Sequence, residues 1–224
     1  QNVSVLGATL GDGTYPDLRT AFTAINSGAQ TGATITISII GNTTESATAM
    51  LSANDWKSLS ITPVGTHSIS GNLPNGLIHL SGAANVLIDG LNSGGNSLTL
   101  DNMANDSTST ILFNNDCKNI TVQNCNILGS ASAATSGTLF FGMPAVAGSG
   151  NDWIKIKSCT IDASTGGNPI NCIYSKGSVT AGQENSTDSI LNSSIANFYN
   201  PLLASSGAMI GAGNTDWTIS GCRF

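Results

Sequence analysis

Charge is scarce in this chain. Only 9% of its 224 residues are Asp, Glu, Lys or Arg, where about a quarter is usual for a globular protein. Aromatic residues make up 5%, and there are two histidines. Seven Lys and Arg stand against thirteen Asp and Glu, for a net charge of −6. Such a chain has no basic stripe to neutralise phosphates, which disfavours nucleic acid as a partner. Nor does any apolar run approach the ~18 residues that would read as a membrane span. Glycine is abundant instead, with 26 residues, alongside many Ser, Thr and Asn. A surface carried by hydroxyls and amides suits the extracellular medium. The first residue is Gln1 rather than Met, and removal of a signal peptide is the simplest account. The expected location is therefore secreted, extracellular or on the cell surface.

A phrase recurs along the second half. Ile120-Thr-Val122-Gln-Asn-Cys125-Asn-Ile127 is followed by Ile154-Lys-Ile156-Lys-Ser-Cys159-Thr-Ile161, then by Ser189-Ile190-Leu-Asn-Ser193-Ser-Ile195 and Trp217-Thr-Ile219-Ser-Gly-Cys222-Arg-Phe224. Marker residues Val122, Ile156, Ile190 and Ile219 are separated by 34, 34 and 29 positions, and Ile88 lies 34 before the first. Near-fixed periods of this kind belong to stacked repeats.

Residues 1–30 read differently, as an N-terminal cap before the repeat region 31–224. Leu18, Phe22 and Ile25 fall on one face of a short amphipathic helix. Thr14 and Asp17 form a capping-box pattern at its start, and Gly28 is placed to end it. Beyond it come short strand-like runs between Gly, Asn, Ser and Asp, such as Thr34–Ile40, Leu59–Thr62, Leu77–Leu80 and Val86–Ile88. Parallel strands without crossover helices leave one architecture. The expected fold is all-β, a right-handed parallel β-helix (a β-solenoid) of about six to eight rungs with a short N-terminal capping helix. Three ladders are expected down its axis. One joins Ile88, Val122, Ile156, Ile190 and Ile219; another joins Ile127, Ile161, Ile195 and Phe224; the third joins Cys125, Cys159, Ser193 and Cys222.

Cys125 and Cys159 on adjacent rungs have a spacing compatible with a disulfide. A ladder of reduced, packed thiols is the plainer reading. Spacing does not fix the pairing of Cys117, Cys125, Cys159, Cys172 and Cys222, and the odd count leaves at least one thiol over. Cys117 and Cys172 have no repeat counterpart. Metal binding is disfavoured, because there is no Cys-x-x-Cys pair and His67 and His79 stand apart in sequence. Asp116, Asp152, Asp188 and Asp216 each precede a core strand, which corner hydrogen bonding explains before calcium does. A glycosidase pair of carboxylates stays open as an alternative, although the sequence has no Asp-Asp doublet. A Thr-x-Thr pattern, the mark of an ice-binding array, is seen at Thr34 and Thr36 without repeating as an array. Trp56, Trp153 and Trp217 are dispersed; core or corner packing is the first reading for them, and a platform for sugar rings the second. Asn-x-Ser/Thr triplets occur at Asn2, Asn42, Asn105, Asn119, Asn185 and Asn192, as chance supplies in this composition.

Tyr15–Asn26 followed by Gly32–Glu45 resembles the opening of large secreted right-handed β-helix proteins of Bacteroidota. Leu77–Gly90 and Ser109–Asp116 are similar to the same pattern. The resemblance implies a surface or secreted protein and identifies no activity. Asp106-Ser107-Thr108 and Asp188-Ser189-Ile190 are similar to the O-glycosylation triplet of that phylum. The fold is shared with pectinases and polysaccharide lyases, whose catalytic Asp, Arg and Lys groupings have no counterpart here. No residue is therefore assigned as catalytic, cofactor-binding or metal-ligating, and no cofactor is expected. The reading is a non-enzymatic extracellular structural or adhesive β-solenoid, self-associating head-to-tail through its ends into a filament. A carbohydrate-binding or carbohydrate-cleaving β-helix is the alternative, and glycans or cell-surface molecules are the other expected partners.

Overall fold

The computed structural model describes residues 1–145, 148–198 and 206–224. They form a parallel β-solenoid with three lateral sheets. Sheet 1 has eleven strands, and sheets 2 and 3 have six each. Six stacked strands make five steps, so the chain advances through about five turns, slightly fewer than the repeat count leads one to expect. Sheet 1 carries the recurring phrase, in Ala84–Asp89, Lys118–Gln123, Asp152–Lys157, Ser189–Leu191 and Thr218–Ser220. Each pairs in parallel with the next.

The expected ladders are present. Ile88, Val122, Ile156, Ile190 and Ile219 are successive register partners, and the column continues upward through Ile61 and Ile37. The first four are buried, whereas Ile219, on the last strand, is 42% exposed. In the second ladder Ile127, Ile161 and Ile195 are partners and buried. Arg223 bridges Ser194, which places Phe224 at the level of Ile195, though it is 62% exposed. Cys125, Cys159 and Ser193 stack in the third; the Cys159 N–H donates to Ser193 Oγ at 3.2 Å. All five cysteines are free thiols.

Cys117 does have counterparts, and they are asparagines. Its N–H donates to Asn151 Oδ1 at 3.0 Å, and the Asn151 N–H donates to Asn185 Oδ1 at 3.0 Å. Asn185 is in turn the register partner of Asn214. Cys117, Asn151 and Asn185 are buried. An amide stacked on an amide satisfies its own donors and acceptors along the axis, which lets polar groups lie inside at little cost.

Corners use the left-handed backbone region. Asn85, Asn119, Trp153, Thr187 and Asp216 occupy one corner level with φ between 53° and 57°. Asn124, Ser158 and Asn192 occupy a second, with φ of 55°, 53° and 49°. Asn and Asp tolerate this conformation because their short side chains bond locally.

The N-terminal end is closed by two devices. Val3–Leu6 pairs antiparallel with Thr34–Ile39 and with Gly13–Tyr15, an addition that the sequence did not signal. Helix α1 (Leu18–Asn26) packs against Ala49–Ser52, the edge strand of sheet 3, and buries Leu18, Ala21, Phe22 and Ile25. Asn26 then acts as a strand would. Its amide donates to Met50 O at 2.8 Å, and its carbonyl accepts from Ser52 N at 3.1 Å. The capping-box expectation needs correcting. Thr14 lies in the strand Gly13–Tyr15, and Asp17 is itself the N-cap, accepting from Thr20 N at 2.7 Å. Pro16 explains this, since it disfavours helical backbone at the residue before it. The first two helical N–H groups, of Leu18 and Arg19, donate to the Glu45 carboxylate at 3.0 and 2.9 Å. Burial raises the pKa of Glu45, and those two bonds oppose the rise.

Candidate functional site

On the outer face of sheet 1, one column reads Thr36, Ser60, Leu87, Thr121, Lys155, Ser189 and Thr218. Beside it runs the first corner level. Between them lies a groove of about 490 Å³ bordered by Trp153, Lys155, Asp188, Asp216, Thr121 and Thr218, among others. That volume falls within the range of small-ligand clefts.

Trp153 is the prominent feature. It is 55% exposed, and its backbone has φ of 56°. Its neighbours at that level are Asn119 and Thr187, both short and polar. A bulky side chain in the left-handed region is an outlier. Lys118 Nζ sits 5.9 Å from the indole centroid, within range of a cation–π attraction. The other two tryptophans are packed. Trp56 is buried and donates from Nε1 to Ala84 O at 2.5 Å. Trp217 lies with its ring centroid 4.9 Å from that of Phe141 and donates to Asn185 O at 3.2 Å. Core packing thus describes two of the three.

The four aspartates expected at corners are not equivalent. Asp116, with φ of 68°, accepts through Oδ1 from the backbone N–H groups of Ala145, Ser149 and Gly150. Asp216 occupies the exposed corner level. Asp152 is buried within a strand and accepts from the Ser186 N–H at 3.1 Å and its hydroxyl at 2.8 Å. Asp188 departs furthest. Lys155 pairs with Ser189 and Ser189 with Thr218, so the preceding residues Ile154, Asp188 and Trp217 share a level. Upward, that column holds Ile120, Val86, Leu59 and Ile35. A carboxylic acid therefore stands in an aliphatic column, 1% exposed. Its Oδ1 accepts from the Ile154 N–H at 2.7 Å, and its Oδ2 is buried without a partner. Burial pushes its pKa up to about 8; the Ile154 bond opposes this and the Asp152 charge adds to it.

Both histidines lie outside this face. His67 Nε2 is 2.8 Å from Val64 O, and burial lowers the pKa of His79. Among the described residues no three His, Cys, Asp or Glu side chains come together as a metal site. Nor, among them, is any helix long and apolar enough to cross a membrane. The Thr34–Thr36 pattern does not extend into an array, because their register partners are Ser58 and Ser60.

Composition and local motifs do not separate Trp153 and Asp188 from the other tryptophans and corner aspartates. The signal was the 34-residue period itself. It sets Trp153 against Asn119 and Thr187, and Asp188 against Ile154 and Ile120. No protein-family model, curated protein or solved structure matches the chain.

Proposed function

We propose that the chain is a non-enzymatic, extracellular structural or adhesive β-solenoid. The observation that carries this reading is the use made of the acidic side chains. Asp89 accepts from Leu91 N, Asn124 Nδ2 and Gln123 Nε2 at 2.7–2.9 Å. Asp116 holds a loop, Asp152 and Asp188 join neighbouring rungs, and Glu45 fixes the cap helix. These groups serve the rod. The buried Asn151 and Asn185 do the same. Secretion is supported by the low charge and by the resemblance to exported β-helix proteins of Bacteroidota.

Self-association through a solenoid end belongs to the same reading. A strand laid on Thr218–Ser220 would cover Ile219, the exposed member of an otherwise buried column. Edge strands recruit such partners through their free backbone groups.

The test is a depolymerisation screen on neutral and acidic polysaccharides, together with sedimentation velocity over a wide concentration range. The expected outcome is no new reducing ends or unsaturated products, with growth into rods as concentration rises. Turnover that disappears on substitution of one carboxylate would overturn the non-enzymatic reading. A monomer at the highest concentration would remove the end-to-end contact.

A further inference from the structure

Trp153 breaks the pattern of its corner level, and what surrounds it is equally uncommon for this chain. The protein carries seven Lys and Arg and a net charge of −6. Yet Lys118, Lys155 and Lys157 lie on two adjacent strands of sheet 1. Lys118 rests against the indole, and Lys155 borders the same groove. Two acidic residues line this groove, Asp216 at the exposed corner level and Asp188, whose side chain is buried beneath it. Burial pushes the Asp188 pKa up to about 8, which reduces the charge it sets against the lysines near neutral pH. The remaining lining is hydroxyl and amide, from Asn119, Thr121, Thr187, Ser189 and Thr218, together with the aliphatic Leu191. An exposed indole, the Lys155 cation and a fringe of hydrogen-bonding groups thus share one groove, with the Lys118 cation over the indole beside it.

That combination matches one ligand chemistry. A pyranose ring presents a face of C–H groups that packs on an aromatic plane, while its hydroxyls seek donors and acceptors at the edge. A carboxylate on the ring would add a charge-assisted bond to lysine. We propose that the groove at Trp153 binds an acidic glycan, with a uronic-acid residue stacked on Trp153 and its carboxylate beside Lys155 and Lys118. This goes beyond the structural role above. It gives the rod a point of attachment and requires no turnover.

The test uses calorimetry on the purified chain. Its probes are tetrasaccharides of galacturonic, glucuronic, mannuronic and guluronic acid, with neutral hexose tetrasaccharides as controls. Trp153→Asn installs the residue found at the same level in Asn85 and Asn119, and Lys155→Thr copies Thr121, so both variants should fold; circular dichroism and a melting curve check this. The expected result is binding of at least one uronate, at least tenfold tighter than the neutral sugars. Each variant weakens it about tenfold or more, and added salt weakens it further. Failure of every uronate to bind, equal affinity for neutral sugars, or undiminished binding by Trp153→Asn would each overturn the proposal. None of these results bears on the absence of turnover or on end-to-end assembly, which are measured separately.

Discussion

Asp188→Asn should stabilise the protein at neutral pH and flatten its pH dependence. The acid of Asp188 has an ordinary pKa of 3.8, and burial raises it to about 8. Folding therefore retains a proton that the unfolded chain releases above about pH 4. For a raised acid the native state binds more protons, so its stability is fully present below the unfolded value and falls as pH rises toward 8. At pH 7 the interval is about 3 pH units, at about 1.4 kcal/mol each, or about 4 kcal/mol. Asn keeps the carbonyl that accepts from Ile154 N, and its amide replaces the unpartnered Oδ2. It carries no titrating charge. Guanidinium titrations followed by tryptophan fluorescence from pH 4.5 to 8.5 provide the measurement. The wild-type midpoint should fall steadily across this range, and the variant's should change much less, with the two curves farthest apart at the alkaline end. Parallel curves, or a variant less stable at pH 8, would refute the reasoning that places an uncompensated acid in the Ile154 column.

Other perturbations test separate parts of the fold. Ile156→Ala should cost about 2–5 kcal/mol by creating a cavity within a closed column, whereas Ile219→Ala should cost only about 1 kcal/mol, because Ile219 is 42% exposed; urea melts compare the two, and equal costs would mean that Ile219 is covered in solution. Asp116→Ala should lower stability by about 2 kcal/mol, since three backbone N–H groups lose their acceptor, and faster proteolysis near Gly148 would mark the site. In native protein, Ellman's reagent should modify the partly exposed Cys222 first. Cys117 and Cys172, pushed up to about 12 by burial, should react only after unfolding; rapid modification of several thiols would contradict the packed ladder.

The solenoid was legible because stacking in register places one class of residue at one phase of the repeat. Ile88, Val122, Ile156 and Ile190 recur for that reason, and their spacing carried the fold without any helical period. Shorter strands were harder to see. Ala49–Ser52 and Thr66–Gly71 carry little strand signal; Thr-His-Ser-Ile-Ser-Gly has a single buried aliphatic residue, Ile69. A rung strand needs few inward side chains, because the rungs above and below supply its hydrogen bonds. Cys117 has no cysteine counterpart in the repeat, because chemical similarity is a poor guide where hydrogen bonding sets the level. A backbone N–H reaching Asn151 aligns it with asparagines. The helix start was misplaced by one local pattern, Thr14 to Asp17, which competed with Pro16 and lost.

In a stacked repeat every rung is a control for its neighbours, so a residue that breaks its column is informative in a way that no isolated residue can be. Two such breaks in sheet 1 meet at one place. Trp153 takes a left-handed corner position otherwise held by Asn, Thr and Asp, at a cost of about 1–2 kcal/mol. Asp188 enters a column that is aliphatic above it, at a larger cost near neutral pH. Each has a cheaper residue one rung away, Asn119 for the first and Ile154 for the second. Both breaks border one groove, although the solenoid offers many other corners and columns. Independent accidents would scatter along the rod. Strain gathered in one place is expected at a functional site, where Trp153 is presented outward and Asp188 lies buried beneath it. That coincidence is why the argument for ligand binding rests at Trp153, and not at the exposed Met50 or Val179, which disturb no column on this face.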